Sequence, residues 1–269
     1  PPLPCYAGEE FSHPSISRGG IFPPQHQQGR NFPIPAAAGE KFGFRTIGII
    51  RGEKVLPVNP TMSFAEKCGM ELHFIDRTTF RNKNLPEFQN QLKKQFGNFY
   101  LIPEGGTNCF GMKGCSEIIE EVNNQNIDPD YYCLPCGTGG TIAGIISGLN
   151  NEKKVLGFSA LKGNFLKKEV ADLLKNCEGK EYSNWQILTD YHFGGYAKFK
   201  SELIDFINDF FEETGIPLDP IYTGKMMFGI YDLIRKGYFE KGSSILAIHT
   251  GGLQGIQGFN QRFGNLIHV

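Results

Sequence analysis

The feature that constrains this chain most is a regular alternation of short apolar runs with helical segments. Residues 46–50 and 131–136 are compact apolar runs typical of buried strands. Pro60 begins a helix that ends before Gly69, the arrangement of proline and glycine that helices favour. Strands that alternate with helices of about 10–15 residues predict βαβ units and parallel sheets. We therefore expect an α/β protein with two βαβ lobes. The small lobe is predicted at 36–122 and the larger lobe at 123–269.

Residues 1–35 lack this alternation. They contain eight of the sixteen prolines, no lysine, no valine and a single leucine. Proline fixes the backbone φ angle and lacks an N–H donor, and no apolar period of a strand or helix is present. We therefore expect an irregular or non-native N-terminal arm. Because the chain starts at Pro1 and its first methionine is Met62, we also expect the natural start to lie upstream.

Composition excludes several classes of function. The formal net charge of −1 provides no basic surface for nucleic acid and no polybasic patch for a membrane. No apolar run approaches the roughly 18 residues of a membrane span. The seven cysteines do not form the framework of a secreted domain, so we expect reduced thiols in a cytoplasmic protein.

The strongest candidate site is the glycine loop, which follows an apolar strand and opens a helix. Its residues are Gly137, Thr138, Gly139, Gly140 and Thr141. Glycines allow the backbone to surround an anion, and the free amides at a helix start bind it. Ile142 replaces the third glycine of a dinucleotide fingerprint, and no Walker lysine follows. The loop therefore predicts a site for one phosphate, with a glycine turn that binds no ligand as the alternative.

Four other segments also follow predicted strands, where parallel α/β folds bind ligands. Thr250 precedes two glycines, and Tyr222 lies in a turn that enters a helix. Each also fits a simpler interpretation, a plain turn for Thr250 and a core tyrosine for Tyr222. The other two segments are the 104–108 turn and the 192–196 loop, which is predicted to form a lid or pocket rim. Their candidate residues are Glu104, Gly105, Gly106, Asn108 and Tyr196.

We predict no metal site. Cys133 and Cys136 have CxxC spacing, but no second pair supplies the other two ligands of a zinc site. Both thiols lie within a strand pattern, whereas a redox CxxC normally occupies a helix N-terminus, so a structural role is favoured. The six histidines are scattered without metal-binding spacing.

In order and spacing, the glycine loop, the 104–108 turn and the segments around Tyr222 and Thr250 resemble one known family. It comprises the pyridoxal-phosphate-dependent 1-aminocyclopropane-1-carboxylate deaminases and D-cysteine desulfhydrases, which share the tryptophan synthase β fold (fold type II). The resemblance extends from about Ala36 to Gly264. It implies pyridoxal 5'-phosphate as cofactor and a lyase or deaminase that converts a small amino acid to a 2-oxo acid and ammonia. Neither nucleic acid nor a membrane is an expected partner, and a homodimer stays open as the assembly.

The resemblance also implies roles for the matched residues. The glycine loop would hold the cofactor phosphate, and Thr250 would meet the pyridine nitrogen. A hydroxyl there leaves that nitrogen largely unprotonated, which suits elimination better than transamination. Tyr222 would act as an acid–base or positioning group. The 104–108 turn and the 192–196 loop would line the substrate entrance.

One family feature is missing from this sequence. The family carries its Schiff-base lysine in an N-terminal Gly-Asn-Lys segment followed by Ser-Asn-His, and residues 1–40 contain neither motif and no lysine. Lys225 and Lys162 are conceivable substitutes. The alternative function is therefore a catalytically inactive fragment or pseudoenzyme that at most binds pyridoxal phosphate or phosphate.

Overall fold

Two four-stranded parallel sheets organise the protein. The computed structural model describes residues 19–22, 33–54, 56, 58–83 and 85–268. In chain order the elements are β1 (Gly19–Phe22), α1 (Pro33–Phe42), β2 (Thr46–Arg51), α2 (Pro60–Lys67), β3 (Glu71–Ile75), α3 (Arg77–Arg81), α4 (Pro86–Phe96), β4 (Phe99–Leu101), α5 (Cys109–Asn124), β5 (Tyr131–Cys136), α6 (Gly140–Leu149), β6 (Lys154–Ser159), α7 (Phe165–Glu178), β7 (Trp185–Leu188), α8 (Ser201–Thr214), α9 (Thr223–Arg235), β8 (Ile245–Ala247) and α10 (Gln254–Phe263). The strand orders are β3-β2-β1-β4 and β7-β6-β5-β8.

The first sheet is covered by helices on both faces. Ile47 and Ile49 of β2 pack against Phe88 and Leu92 of α4. Ile50 points to the opposite face and joins a cluster with residues of α1 and α2. Successive residues of a strand alternate between the faces of its sheet. Strand β2 is therefore buried on both faces of the sheet, as its continuous apolar sequence predicts.

The second sheet repeats this arrangement around β5. Tyr132 and Leu134 belong to the core cluster that includes α6 and α7. Tyr131 and Cys133 face the other side and pack with α9, where Met226 contributes to the cluster. All neighbouring strand pairs in both sheets are parallel. The predicted α/β fold with parallel sheets is confirmed.

The predicted irregular arm is wrong for two short stretches. Residues 19–22 form β1, which pairs on one side with β2 and on the other with β4. Residues 33–35 belong to the first turn of α1. A strand of four residues that includes two glycines is too short to produce a recognisable apolar alternation, and its pairing depends on partners distant in sequence. The rest of the predicted arm, 1–18 and 23–32, lies outside the described residues.

Helix α5 packs in the layer of the second sheet. A Cβ atom added at Gly144 of α6 would lie 2.5 Å from the carbonyl oxygen of Met112, and one added at Gly148 would lie 2.8 Å from the side chain of Ile119. Glycine at these positions lets the two helices approach closely. This packing differs from the predicted division of the chain at 122 and 123, which assigned α5 to the smaller lobe.

The expectation of reduced thiols is wrong for one pair. Cys109, at the start of α5, and Cys177, near the end of α7, form a disulfide across 68 residues of sequence. Seven cysteines without regular spacing give no indication of pairing, because a disulfide depends on Cα positions that the fold brings together. Among the described cysteines, Cys68, Cys115, Cys133 and Cys136 are free.

None of the helices in the described ranges combines the length and apolar character that crossing a bilayer requires.

Candidate functional site

A cleft of about 870 Å³ lies at the carboxyl ends of β5 and β8, where a parallel α/β fold places its ligands. Its volume lies within the range of small-molecule sites, roughly 300–1,000 Å³. On the first-sheet side its wall includes Pro33 and Ile34 of α1 and Phe64 of α2. The predicted site residues that line it are Glu104, Gly105, Gly137, Thr138, Gly139, Gly140, Thr141, Tyr196, Tyr222 and Thr250.

The glycine loop connects the buried end of β5 to the first turn of α6. Gly139 is the residue before the helix and has a φ of +85°, a conformation that residues with a Cβ atom disfavour. A Cβ at this position would also lie 2.6 Å from Cγ2 of Val170. The first backbone bond of α6 runs from the Ala143 N–H to the Gly139 carbonyl. The N–H groups in the first turn of α6, before Ala143, have no partner within the helix. This end of the cleft therefore suits an anion.

Tyr222 is positioned by a buried aspartate. Asp219 is fully buried, and its carboxylate accepts hydrogen bonds from the N–H groups of Ile221, Tyr222 and Thr223 at 2.9–3.0 Å. These bonds form the turn that leads into α9. The phenol of Tyr222 reaches the glycine loop, since a Cβ added at Gly137 would lie 3.2 Å from its hydroxyl oxygen. The predicted exposure of Tyr222 to a cleft agrees with this geometry.

The 104–108 turn lies directly against the glycine loop. Gly105 has a φ of +74°, and a Cβ there would come within 2.4 Å of the hydroxyl oxygen of Thr138. The hydroxyl oxygens of Thr107 and Thr138 are 2.6 Å apart. Glu104, which lines the cleft, forms an ion pair with Lys83. Two segments that are 31 residues apart in sequence therefore share one wall of the cleft.

Two predicted residues of this turn do not line the cleft. Asn108 is the N-cap of α5, where its side-chain oxygen accepts a hydrogen bond from the Gly111 N–H at 2.8 Å. Its amide nitrogen donates to the hydroxyl of Tyr100 at 3.2 Å. Gly106 has a φ of +68° and contributes a turn conformation. Both residues therefore shape the turn. The role of Asn108 could have been found in the sequence, because an asparagine directly before a helix is a capping signal.

Thr250 lines the cleft from the segment that follows β8. The residue is exposed, and Gly251 and Gly252 follow with φ values of +76° and +91°. His249, the residue before Thr250, is held in place by two hydrogen bonds of its ring. Its Nε2 is bonded to the Pro217 carbonyl, and its Nδ1 accepts from the Gly251 N–H. The Thr250 hydroxyl thus has space around it at the edge of the cleft, as the two glycines predict.

The 192–196 loop contributes Tyr196 to the cleft. The ring centroids of Tyr196 and Tyr222 are 6.2 Å apart in an edge-to-face arrangement. Such a contact is favourable for aromatic pairs. The two tyrosines, predicted from separate segments, therefore form one aromatic pair on the wall of the cleft.

Within the part of the chain that the structure describes, no lysine lines this cleft. Lys225 is buried, and its Nζ donates hydrogen bonds to the His192 and Gly195 carbonyls at 2.8 and 2.9 Å. Lys162 is exposed, and its Cβ lies beside Gly195. Neither of the two conceivable substitute lysines presents its amine to the cleft.

The thiols of Cys133 and Cys136 are buried in β5. Burial raises the pKa of each thiol to about 12, so both are neutral near pH 7 and poor nucleophiles and metal ligands. Among the residues with described positions, no three His, Cys, Asp or Glu side chains cluster in a way that could hold a metal ion.

Sequence reasoning missed the role of Asp219 and the wall formed by α1 and α2. A proline after Asp219 is typical of a turn, but only its burial shows that its carboxylate holds Tyr222. Ile34 and Phe64 are exposed apolar residues. Apolar residues on short helices predict core packing, so nothing local indicates that they face a cleft.

Comparisons with known proteins identify relatives of this chain. A Pyrococcus abyssi protein, provisionally named 1-aminocyclopropane-1-carboxylate deaminase, is 30% identical over 246 residues, or 87% of this chain and 74% of that protein. The bifunctional D-cysteine desulfhydrase/1-aminocyclopropane-1-carboxylate deaminase of Arabidopsis thaliana, named as mitochondrial, is 34% identical over 206 residues. That match covers 70% of this chain and 51% of the plant protein.

Solved structures have the same fold. A crystal structure of an ACC deaminase homologue superposes with a TM-score of 0.78 at 27% identity, over 93% of this chain and 79% of that one. A hydrogen sulfide-producing enzyme from Fusobacterium nucleatum superposes with a TM-score of 0.60 at 16% identity, over 87% of this chain and 78% of that one, a likeness of fold alone. The family model described as "Pyridoxal-phosphate dependent enzyme" matches residues 36–251. Since that match covers most of the chain, this protein belongs to the pyridoxal-phosphate-dependent enzyme family.

Proposed function

We propose that this protein is a lyase or deaminase of small amino acids, of the 1-aminocyclopropane-1-carboxylate or D-cysteine type. The products are a 2-oxo acid and ammonia, with sulfide as the additional product from D-cysteine. The observation that carries the proposal is the meeting of the glycine loop, Tyr222, Tyr196 and Thr250 in one cleft. The names of the Pyrococcus abyssi and Arabidopsis relatives support the substrate class.

The residues of the cleft fit pyridoxal phosphate. A Cβ atom would lie 3.2 Å from the Tyr222 hydroxyl at Gly137 and 2.6 Å from Val170 at Gly139, so glycine is needed at both positions to keep the loop close to these side chains. The N-terminal amides of α6 and the hydroxyl of Thr138 supply donors for a phosphate. The hydroxyl of Thr250 is the group that would meet the pyridine nitrogen. The cofactor supplies an electron-withdrawing ring that stabilises negative charge on the substrate α-carbon.

The other side chains would bind and orient the substrate. The Tyr222 hydroxyl, held by the Asp219 turn, can exchange a proton with a group bound beside the glycine loop. The aromatic rings of Tyr196 and Tyr222 form an apolar surface that limits access of water. The Lys83–Glu104 ion pair places a charged pair at the 104–108 turn, the proposed entrance.

A spectroscopic titration with pyridoxal phosphate, followed by assays of both amino acids, tests the proposal. 2-Oxo acid and ammonia should form in equal amounts. Tyr222→Phe should retain cofactor binding and lower kcat by about 10²-fold or more, because it removes the proposed acid–base group. Tyr238→Phe is a matched control, since that hydroxyl bonds to Gln186 outside the cleft.

The same experiment tests the inactive alternative. Cofactor binding with no 2-oxo acid from either amino acid would contradict the proposed activity and favour a binding protein without turnover. Because residues 1–40 contain no lysine, any lysine of this chain that reacts with the cofactor must lie later in the sequence. Peptide mapping after borohydride reduction should identify it. The relatives and the crystal structure named above carry the names of enzymes or of an enzyme homologue. These names support an active enzyme over the inactive alternative.

We also propose a cytoplasmic location and leave a homodimer open as the assembly. The Arabidopsis relative is named as mitochondrial. A Cys109–Cys177 pair found oxidised in the native protein would count against the cytoplasm, because reducing compartments disfavour disulfides. Fractionation of the native host cells and mass measurement of the purified protein test the two proposals separately.

A further inference from the structure

Lys225 is a buried lysine for which the proposed chemistry has no use. The residue is 1% exposed and lies on α9, three residues after Tyr222. Lysine is almost never fully buried, because its amine must then find partners inside the protein. Here Nζ donates to two backbone carbonyls, those of His192 at 2.8 Å and Gly195 at 2.9 Å. Both carbonyls belong to the 192–196 loop that carries Tyr196.

The backbone of this loop adopts a conformation that most residues disfavour. Phe193 and Ala197 have φ values of +53°, and Gly194 and Gly195 have values of +101° and +122°. Residues with a Cβ atom are uncommon in the left-handed region, which is unfavourable by about 1–2 kcal/mol per residue. A segment of this kind keeps its shape only where contacts with the surrounding structure maintain it.

Helix α9 provides those contacts at several positions. The hydroxyl of Tyr191 donates to Asp232 at 2.8 Å, and the rings of Phe193 and Phe228 meet edge to face at 5.0 Å. Lys225 lies on the first turn of the same helix, next to the cleft. Among these contacts, the one made by Lys225 lies nearest to Tyr196 in the chain, because its amine bonds to the carbonyl of Gly195, the residue directly before Tyr196.

We infer that Lys225 is a positioning residue that holds the main chain of the 192–196 loop so that Tyr196 meets Tyr222 edge to face on the wall of the cleft. The inference about Tyr196 in catalysis rests on the proposed function, whereas the attachment of the loop to α9 does not. The amine bonds to each carbonyl from inside the protein and does not line the cleft. Lys225 therefore acts through Tyr196 and not as an amine that reacts with the cofactor.

Amine labelling of the wild-type protein tests the burial of this group without any cofactor. An acylating reagent should modify Lys225 at least about tenfold more slowly than Lys175, an exposed lysine in the last turn of α7, because the buried amine is held by two hydrogen bonds. Labelling of Lys225 as fast as Lys175, or a borohydride-reduced pyridoxyl adduct on Lys225, would overturn the inference.

The loop itself is tested by hydrogen exchange in Lys225→Met, with Lys175→Met as the matched control. Amides of residues 193–199 should exchange roughly tenfold faster in Lys225→Met, because the loop loses two hydrogen bonds to α9. The control should match the wild type. A folded Lys225→Met protein with unchanged exchange in this segment would contradict the inference. If Lys225→Met does not fold, Lys225→Gln, which keeps a donor on a shorter side chain, replaces it in the same measurement.

Kinetics connect the loop to the proposed activity. In Lys225→Met, KM should rise about tenfold or more while cofactor affinity stays within about twofold, because the glycine loop is untouched and Tyr196 is misplaced. A loss of kcat with unchanged KM would contradict a positioning role. Because hydrogen exchange and amine labelling need no turnover, an absence of activity in the wild type would count against the proposed function alone.

Discussion

The hydroxyl oxygens of Thr107 and Thr138 lie 2.6 Å apart, so the 104–108 turn is hydrogen-bonded to the glycine loop. Thr107 directly precedes the N-cap of α5, and Thr138 lies two residues before the start of α6. The close packing of α5 on α6 brings these two segments together. The proposed phosphate site and the proposed entrance are therefore parts of one wall.

This contact predicts coupling between Thr107→Val and Thr138→Val. Each single substitution should lower the free energy of unfolding by about 1 kcal/mol, and the double variant by less than their sum, because both remove the same hydrogen bond. Urea unfolding of the four proteins measures the coupling. Strictly additive effects would show that the two hydroxyls contribute independently. Thr138→Val should also weaken cofactor binding more than Thr107→Val, since only Thr138 belongs to the glycine loop.

A second prediction concerns Gly139. Gly139→Ala should lower affinity for pyridoxal phosphate and for inorganic phosphate by at least about tenfold, because the added Cβ meets Val170 at 2.6 Å and the residue has a positive φ. Gly215→Ala is the matched control. Gly215 also has a positive φ, +69°, but a Cβ there would contact nothing within 4 Å. Both variants should lose about 1 kcal/mol or more of stability from backbone strain. If Gly139→Ala and the wild type bound pyridoxal phosphate and inorganic phosphate with equal affinity in a titration, the glycine loop would not be the phosphate site.

The Cys109–Cys177 disulfide predicts a stability that depends on redox conditions. It closes a loop across 68 residues of sequence and connects α5 to α7, the two helices beside α6. A chain-entropy estimate for such a loop is about 4 kcal/mol, so a thiol reductant should lower the melting temperature of the wild type. The double variant Cys109→Ser/Cys177→Ser should melt at the lower temperature with or without reductant. Cys68→Ser, which removes a free thiol, should respond like the wild type.

Lys225 predicts a pH dependence of stability. Burial lowers the pKa of its amine from 10.5 to about 8, with Asp219 as the charged group whose attraction opposes the shift. Between these two pKa values the unfolded chain binds more protons than the folded protein, so the free energy of unfolding rises with pH. Denaturant titrations at several pH values above about 8 should therefore show the wild type gaining stability relative to Lys225→Met. Lys175→Met should follow the wild type, and parallel curves for wild type and Lys225→Met would contradict the lowered pKa.

Some of the site could be read from local sequence because local chemistry creates it. An apolar strand, a glycine-rich loop and a helix start predict an anion site at 137–141 wherever that helix packs. The turn before Tyr222 and the two glycines after Thr250 are equally local. Asn108 shows the limit of such reasoning. The segment around it forms a turn beside the cleft, as its glycines predict, but its side chain caps α5.

The sequence by itself therefore determined the α/β class, the parallel strands and the segments that line the cleft, since strand and helix periods and turn residues act over a few neighbours. Only the tertiary structure decided how distant segments combine. It inserted residues 19–22 between β2 and β4, packed α5 on the second sheet and paired Cys109 with Cys177. It also buried Lys225 against the 192–196 loop. These contacts join residues far apart in the chain, and their free energy comes from packing and burial that no local pattern encodes.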